Sequence, residues 1–399
     1  MAKQDKKETE RLYSEEISLT SHVELSDYVQ LNLRKIGDYR RAFNIPVIGI
    51  AGTEGKTTTK RMLSAILSQR GNVLETSLDC STASGVTSTL LNLSDQHDYA
   101  ILELGILNQK QFELAVKVSQ PTIGVVTNIG EAHLATLGDK YLIADAKVEL
   151  VRNLPKDGFA VLNKDDDLVS DMAKFCPSNH VVKFGFNSRA HFFANRIQYL
   201  GPEGIQFCVN GYYPFHLQIY GSASIYNALA AVSVARILGV GFEEMRSALE
   251  KFQLTEHRGN LIRASDVYFL DHTYDATINS VTKACESLVQ FRSYSSKLIL
   301  VLGDVGNPGE SPVKTHLNLG YYISALPIDA VITYGQLAAY AVDGILKINH
   351  TRKEIAKCQE PDELIQTVLN SLQPGATVLA IGRKPQGLSD ILQKIIDAL

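Results

Sequence analysis

The amino-acid sequence predicts an α/β protein with mainly parallel sheets in two successive domains. Short apolar runs that end in small or polar residues alternate with amphipathic helical segments after Pro46, and the alternation begins again near residue 260. Between these regions, residues 252–260 have no regular period and predict a linker. We therefore expect a short helical segment at 1–44, a central domain at 45–253 and a Rossmann-like C-terminal domain at 254–399.

The elements of the central domain can be placed from their hydrophobic patterns. Continuous apolar runs predict buried parallel strands, and these runs are VIGIAG, YAILELG and TIGVVTN. Helix-period segments lie between them, KRMLSAILSQRG and KYLIADAKVELVRNL. Residues 178–220 alternate in polarity and are more typical of antiparallel strands, whereas the Ala-rich SIYNALAAVSVARILGV predicts a helix that ends at Gly239.

The C-terminal region repeats the alternation with a second set of strands. The apolar runs there are VYFLDHT, KLILVLGD, DAVITYG and TVLAIGR, with helical segments between them. At the other end of the chain, residues 21–44 carry apolar positions at helical spacing, with Arg and Lys between them. We expect short helices there, after a polar stretch at 1–20.

Composition excludes several classes of protein. The 399 residues carry a net charge of −4, which argues against a nucleic-acid binder with a basic surface. The five cysteines are far apart and show no CxxC spacing, so free thiols are expected rather than a disulfide framework or a zinc site. No apolar run is long enough to span a bilayer, and the N-terminus lacks the apolar core of a secretory signal. These features predict a cytoplasmic protein with no membrane or nucleic-acid partner.

The stretch IGIAGTEGKTTTKRML, residues 48–63, has the order strand, glycine-containing loop, helix. Backbone N–H groups at the start of such a helix bind phosphate oxygens. Lys56 would reach the β- and γ-phosphates of ATP, and Thr57 or Thr58 would offer a hydroxyl to Mg²⁺. The usual GxxxxGK[ST] spacing needs a glycine where Ile50 stands, and the glycines are instead at 49, 52 and 55. The central domain is therefore predicted to be a P-loop ATPase domain with a variant loop.

Three further side chains could belong to the same site. Glu103 ends a predicted strand, and ligands of open α/β sheets bind beyond the carboxyl ends of the strands. A carboxylate there suits Mg²⁺, which prefers oxygen ligands shared with phosphates. His133 follows the next predicted strand, and Lys147 lies in the helix after it.

Taken together, these motifs resemble the Mur ligase family of ATP-dependent amide-forming enzymes. The resemblance rests on GTEGKTTTK, ELG, TNIGEAHL, IADAKVE, SIYNALAAVSVARILG, EHRGN, LDHTYDATINSV and VLGDVGNPGESPVKTHLNLG. The resemblance runs from about Asn44 to the C-terminus. The residues of these motifs are most similar to those of the MurF branch, which adds D-alanyl-D-alanine to a UDP-linked precursor.

The resemblance implies a role for individual residues. Glu103 and His133 match ligands of two magnesium ions, and Lys147 matches a lysine carried as a carbamate, whose oxygens suit Mg²⁺. Asn227 matches an adenine contact, Arg258 a γ-phosphate contact and Asp271 a residue near the ribose, whereas Tyr274 and His316 fall in motifs near the nucleotide and the amine. The implied catalytic residues are Lys56, His133, Lys147 and Arg258; the nucleotide-binding residues are Gly52, Thr53, Gly55, Lys56, Thr57, Thr58, Asn227, Arg258 and Asp271; the metal-binding residues are Thr57, Glu103, His133 and Lys147.

The reaction implied by the resemblance has two steps. A substrate carboxylate attacks the γ-phosphate of ATP to give an acyl phosphate and ADP, and an amine then displaces the phosphate. Mg²⁺ and Lys56 would offset the charge of a carboxylate that meets a triphosphate. The implied partners are a small-molecule or peptide acid and an amine.

The sequence departs from the MurF pattern in the regions expected to bind substrates. About 44 residues precede the first strand of the central domain, fewer than a uridine-binding domain needs. The MurF-like motif DDSYNANPxS is replaced by DHTYDATINS, and a lysine-glycine-serine motif by a segment with Ile381 and Arg383. The changed positions in the first motif are His272, Asp275, Thr277 and Ile278.

These departures favour a ligase with a different acid and a different amine. Within the same class remain a MurF-type enzyme whose UDP-binding part is supplied by another chain, a polyglutamate- or cyanophycin-type ligase, and an enzyme that cyclises a cofactor side chain. A non-catalytic ATP-binding regulator is a second class. A nucleotide kinase would use the same loop but leaves His133 and the C-terminal domain unexplained.

Overall fold

The computed structural model describes residues 32–78, 80–130, 140–306, 311–348 and 352–399. It confirms the predicted α/β class, because most strand pairs in both sheets are parallel. The chain forms two compact units. The first holds the described residues up to Asn195, with Cys208–Tyr213 and Ile225–Leu249; the second holds Arg196–Phe207, Pro214–Ser224 and Glu250–Leu399.

Strands and helices alternate along the first part of the chain, as the hydrophobic runs predicted. The strands are β1 (Val47–Ala51), β2 (Val73–Glu75), β3 (Tyr99–Glu103), β4 (Ile123–Val126), β5 (Phe159–Asn163), β6 (Val181–Gly185), β7 (Phe192–Tyr199), β8 (Ile205–Val209) and β9 (Tyr213–Leu217). The helices are α1 (Leu33–Arg41), α2 (Lys56–Leu67), α3 (Ala83–Leu90), α4 (Gln109–Ser119), α5 (Lys140–Arg152), α6 (Asp167–Asp171), α7 (Ser222–Ile237) and α8 (Phe242–Glu250).

Strand β1 lies in the interior of a sheet with the order β2-β3-β1-β4-β5-β6-β7-β8-β9. It pairs in parallel with β3 on one side and with β4 on the other, and all its residues are buried. Because parallel strands end at the same edge of a sheet, the segments after β1, β3 and β4 meet there.

Gly49 belongs to β1 and not to the loop that follows it. A Cβ atom at this position would stand 3.1 Å from side-chain atoms of Leu104 and Leu150 and 3.3 Å from Pro121. The side chains packed on β1, one from α5 and two from segments next to β3 and β4, therefore leave little room for a side chain here. This packing explains why one glycine of the motif stands outside the usual loop spacing.

The expectation of antiparallel strands at 178–220 is wrong for β6, which pairs in parallel with β5. The alternation has another cause, because several strands in this part of the sheet have one buried and one exposed face. In β8, for example, Ile205, Phe207 and Val209 are buried while Gln206 is exposed. A period of two reports that one face is solvated and does not report strand direction.

The second unit has its own sheet, with the order β10-β11-β15-β12-β13-β14. Only β10 is antiparallel to its neighbour among the pairs that the structure describes in this sheet. Its strands are β10 (Asn260–Ala264), β11 (Val267–His272), β12 (Leu298–Gly303), β13 (Ala330–Tyr334), β14 (Glu354–Cys358) and β15 (Thr377–Ile381). Its helices are α9 (Ile278–Val289), α10 (Pro312–Ser324), α11 (Ala339–Leu346), α12 (Pro361–Ser371) and α13 (Leu388–Asp397).

Within the described ranges, no helix is both long enough and apolar enough to cross a membrane.

Candidate nucleotide and metal site

The loop between β1 and α2 is held in shape by the segment that follows β4. Thr53 N–H donates to the Asn128 carbonyl at 3.0 Å, and Glu54 N–H donates to Asn128 Oδ1 at 3.0 Å. Thr127 Oγ1 donates to the Glu54 carbonyl at 2.6 Å. Gly52 has a φ of +151°, and a Cβ atom there would lie 1.8 Å from Thr127 Oγ1. The loop therefore requires glycine at this position and is fixed by hydrogen bonds to Thr127 and Asn128.

Helix α2 begins immediately after Gly55, whose φ of +79° lies in the left-handed region that glycine tolerates. The N-terminal N–H groups of a helix carry its positive end and attract anions. Lys56 adds a cation at this point, and its Nζ lies 3.0 Å from the carbonyls of Gly52 and Thr53. The loop thus combines the donors that a phosphate group needs.

Thr57 and Glu103 contact each other directly at the edge of the sheet. Thr57 Oγ1 lies 3.1 and 3.0 Å from the two carboxylate oxygens of Glu103. Glu103 ends β3, which pairs with β1, so the register of these neighbouring strands brings the carboxylate to the start of α2. A hydroxyl and a carboxylate are hard oxygen donors of the kind Mg²⁺ prefers.

Lys147 reaches the same loop from α5. It is 1% exposed, and its Nζ donates to Thr53 Oγ1 at 2.9 Å. Burial, together with repulsion from Lys56, lowers the pKa of Lys147 well below its ordinary value; Asp166 and Glu54 act in the opposite direction. This environment favours the neutral amine more than an exposed position would.

Asn227 lies on α7 and packs against Gly55 at the end of the loop. A Cβ atom at Gly55 would stand 2.2 Å from Asn227 Oδ1, and Thr59 Oγ1 is 3.4 Å from the same atom. Asn227 is buried. The structure therefore brings Gly52, Thr53, Gly55, Lys56, Thr57, Glu103, Lys147 and Asn227 together around one helix start, and Thr58 lies in the first turn of that helix.

The donor set fits a divalent cation through oxygen atoms. In the part of the chain that the structure describes, no group of three or more His, Cys, Asp or Glu side chains is arranged to hold a metal ion. The candidate ligands present are the carboxylate of Glu103 and the hydroxyl of Thr57. His133, predicted as a ligand, lies outside the described residues.

Arg258 and Asp271 belong to the second unit. The guanidinium of Arg258 lies 3.8 Å from the centroid of the Tyr274 ring, and its buried Nε has no hydrogen-bond partner among the described residues. Asp271 is 4% exposed and bonds to His257 Nδ1 at 2.7 Å. Its other oxygen accepts from the hydroxyl of Thr273 at 2.7 Å. Arg258 thus has an unsatisfied donor, whereas the carboxylate of Asp271 is held on both oxygens.

His316 is fully buried at the start of α10. Its Nε2 accepts from Val305 N–H at 3.1 Å, and its Nδ1 lies 2.7 Å from the carbonyl of Pro312. With Nδ1 as the donor, both ring nitrogens are satisfied by backbone groups. In this structure His316 therefore joins Val305, shortly after β12, to the first residue of α10.

Comparison with known proteins agrees with this geometry. Residues 50–235 match the Mur ligase middle domain, and residues 257–384 match the glutamate ligase domain of the Mur ligases. The UDP-N-acetylmuramoyl-tripeptide–D-alanyl-D-alanine ligase of Buchnera aphidicola is 30% identical over 371 residues, which cover 91% of this chain and 78% of that protein. The chain belongs to the Mur ligase family.

Other Mur ligases give the same result. The enzyme of that name from Synechocystis is 29% identical over 359 residues, covering 90% of this chain and 76% of its own length. A crystal structure of MurF from Acinetobacter baumannii superimposes with a TM-score of 0.82 at 30% identity, covering 92% of this chain and 80% of that one. These relatives confirm the prediction that the chain is an ATP-dependent ligase that forms C–N bonds.

Two of the departures from the MurF motif have a structural explanation here. Thr277 caps α9, because its Oγ1 accepts from Ser280 N–H at 3.1 Å and its own N–H donates to Ser280 Oγ at 2.7 Å. Ile381 is fully buried at the end of β15. Asp275 and Arg383, by contrast, are exposed.

Two residues near the loop between β1 and α2 belong to the candidate site but were not predicted from the sequence. Lys60 is buried one turn after Lys56 and reaches the strands beneath the loop. Asp166 accepts from Ile129 N–H at 2.7 Å and lowers the electrostatic cost of a charge on Lys147. Lys60 ends the motif GTEGKTTTK, so its position was visible in the sequence. Asp166 carried no such signal, because it approaches the site through a contact across 37 residues.

Proposed function

We propose that this Mur ligase uses ATP to join a carboxylate to an amine through an acyl phosphate. The observation that carries the proposal is the set of contacts around the start of α2, where Lys56, Thr57, Glu103 and Lys147 surround one hydrogen-bonded loop. Such a set serves a reaction in which negative charges must approach one another. It combines fixed N–H donors, a cation and oxygen ligands.

In the first step the acid attacks the terminal phosphate. The loop N–H groups and Lys56 would bind the β- and γ-phosphates, which orients the γ-phosphorus toward the carboxylate. Mg²⁺, held by Thr57 and Glu103, would supply charge neutralisation between the triphosphate and the incoming carboxylate. The O–P bond to ADP breaks as the acyl C–O–P bond forms.

We infer that Lys147 acts as a carbamate. Its depressed pKa makes the neutral amine available, and a neutral amine adds to CO₂ with loss of one proton. The product carries two oxygens in place of a cation, and it would serve a second magnesium ion together with His133. This modification also removes the repulsion between Lys147 and Lys56.

In the second step an amine attacks the acyl carbon and phosphate leaves. For Arg258 we propose contact with the γ-phosphate, since its buried Nε lacks a partner and could donate to an anion. Asp271 remains a proposed ribose contact. With both oxygens already bonded, it would accept a ribose hydroxyl only as an additional bond.

The acid and the amine are proposed to differ from those of the MurF enzymes. Asp275 and Arg383 replace uncharged residues of the family motifs and are exposed, so they are available to contact a different amine. MurF activity is the second candidate. It is favoured by identity of about 30% with named MurF-type enzymes over nine-tenths of this chain.

An ADP-release screen of carboxylates crossed with amines distinguishes these candidates. UDP-linked tripeptide with D-alanyl-D-alanine is one pair in the matrix, and hydroxylamine traps any acyl phosphate as a hydroxamate. ADP release that needs both an acid and an amine supports the ligase. Full activity with the UDP-linked pair would reject the different-substrate proposal, and ATP hydrolysis at full rate without either substrate would favour a regulator.

The role of Lys147 has a separate test. Lys147→Ala should nearly abolish ADP formation, and added bicarbonate should not restore it. Mass spectrometry of the native protein in bicarbonate buffer would check the added CO₂ directly. Normal turnover of the alanine variant would remove Lys147 from the site.

A further inference from the structure

We propose that Lys60 is a positioning residue for the divalent cation. Its buried ammonium group holds the carboxylate of Glu103 in the orientation in which Glu103 and Thr57 can bind the same ion. The inference rests on the proposed function, because it takes these two side chains as ligands.

Lys60 is buried to a degree that lysine rarely reaches. It is 1% exposed, and its Nζ lies 3.7 Å from Glu103 Oε2. A lysine is almost never fully buried without a partner, since the desolvation of its charge is costly. In the part of the chain that the structure describes, Lys60 is the one ion-pair partner of Glu103.

Thr76 ties the two members of this pair together. The ammonium of Lys60 donates to the carbonyl of Thr76, and the Oγ1 of Thr76 accepts from the backbone N–H of Glu103 at 2.9 Å. Thr76 N–H in turn donates to the Ile101 carbonyl at 3.2 Å, which continues the pairing of β2 with β3. Both the backbone and the side chain of Glu103 are therefore fixed through Lys60 and Thr76.

Lys60 and Lys56 have different tasks although they are one turn apart on α2. The ammonium of Lys56 lies over the loop carbonyls, whereas that of Lys60 points to the ends of β2 and β3. Glu103, 12% exposed, lies between Lys60 and the hydroxyl of Thr57. One carboxylate oxygen is thus directed toward Lys60, and the carboxylate is kept from turning away from Thr57.

Loss of the ammonium has two opposite effects on a cation. It removes a repulsive charge, and it leaves a nearly buried carboxylate without its partner and free to rotate. The second effect is larger, because Lys60 contacts Glu103 itself and a cation would bind on the carboxylate beyond it. Partners that orient a metal ligand in this way typically change metal affinity by roughly 10- to 100-fold.

The test measures Mn²⁺ binding by the full chain in the presence of a non-hydrolysable ATP analogue. The electron paramagnetic resonance signal of free Mn²⁺ reports the dissociation constant without any turnover. Lys60→Met should raise this constant by roughly tenfold or more, and Lys60→Arg should restore most of the affinity. Lys60→Gln keeps a donor to Thr76 without the charge and should behave like Lys60→Met, so it serves if the methionine variant does not fold.

Lys183→Met is the matched control. Lys183 also lies in the first unit, and its Nζ donates to the carbonyl of Ser170 at 3.0 Å, but it forms no hydrogen bond with any site residue that the structure describes. Its removal should lower the melting temperature without changing the Mn²⁺ dissociation constant. The melting temperature of each variant separates a loss of stability from a loss of cation affinity.

Two outcomes would overturn the inference. Unchanged Mn²⁺ affinity in folded Lys60→Met would make Lys60 a structural residue, and tighter binding would mean that its charge only repels the ion. Absence of Mn²⁺ binding in the unmodified protein is a different failure, because it would remove the proposed metal site itself.

Discussion

The ligand-side edges of the two sheets are built in different ways. In the first unit the site residues bond to one another, as Thr57 does to Glu103 and Lys147 to Thr53. In the second unit Asp271 is held by its neighbours, while Asp275 and Arg383 are exposed. At the first edge the site residues are hydrogen-bonded to one another. At the second edge the exposed side chains stand apart from the residues that are held by their neighbours.

This difference teaches where a ligase of this kind can change. A substitution within the first edge displaces several partners, since each side chain also positions a loop or another site residue. At the second edge Thr277 caps a helix and Ile381 fills the core, so the fold accommodates these two departures from the MurF motif. These positions of the second edge can therefore vary while the contacts around the start of α2 are kept.

The largest expected effect is on turnover and tests the first edge. Lys56→Ala should lower kcat/KM by about 10³-fold, because in the proposed mechanism it removes the cation that neutralises the reacting phosphate. Steady-state ADP release measures this loss of turnover, with circular dichroism as a check on folding.

Arg383→Ala tests the second edge. It should alter the KM for the amine and leave the KM for ATP unchanged. An equal loss of kcat/KM in the Lys56 and Arg383 variants would contradict the contrast between the two edges.

The second prediction concerns rigidity. Gly52→Ala should lower the free energy of unfolding by about 3 kcal/mol, because its Cβ would collide with Thr127. Gly387→Ala, at a φ of +66° with nothing within 4 Å of the added atom, should cost only about 1 kcal/mol. Urea unfolding measures both variants. A smaller loss of unfolding free energy for Gly52→Ala than for Gly387→Ala would show that the loop can rearrange to accommodate the added methyl group.

The third prediction concerns pH and the second edge. Burial lowers the pKa of His272 to about 4, so the unfolded chain binds more protons than the folded one between about pH 4 and 6.5. The free energy of unfolding should therefore fall as pH decreases through this window, by about 1 to 3 kcal/mol. His272→Asn should flatten that part of the profile in chemical denaturation. An identical slope in the variant would contradict the assignment.

The smallest expected effect tests whether a departure from the motif is structural. Thr277→Ala should cost about 1 kcal/mol through loss of the cap on α9. Thr277→Asn, which restores the family residue, should be nearly neutral, since asparagine caps helices equally well. Thermal unfolding of the two variants measures the difference. A large loss in the asparagine variant would mean that Thr277 does more than cap.

Patterns confined to a few neighbouring residues were the most predictable from the sequence. The runs around Val47, Tyr99 and Ile123 predicted the strands β1, β3 and β4, because continuous burial leaves a continuous apolar signature. The pattern gave no indication of β2, which has only three half-buried residues, or of β14, in which the exposed Glu354 and Lys357 interrupt the apolar run. Edge strands bury too little to be visible in this way.

The residues of the candidate site also differ in how well the sequence predicts them. Lys56 and Thr57 follow from the local motif, and Glu103 follows from its place at the end of a strand. The contacts of Thr127 with Glu54 and of Lys60 with Glu103 join residues 73 and 43 positions apart. Such pairs depend on which strands are neighbours in the sheet, and neither composition nor spacing contains that information.

The contact of Asn227 with Gly55 bears on the stage of translation at which the loop is fully supported. The asparagine that packs against this glycine stands on α7, and its contact with Thr59 spans 168 residues. During synthesis the loop is therefore translated long before α7, the helix that carries Asn227. A nascent chain that ends before α7 carries the complete phosphate-binding motif without its support, so competence to bind nucleotide should arise late in translation.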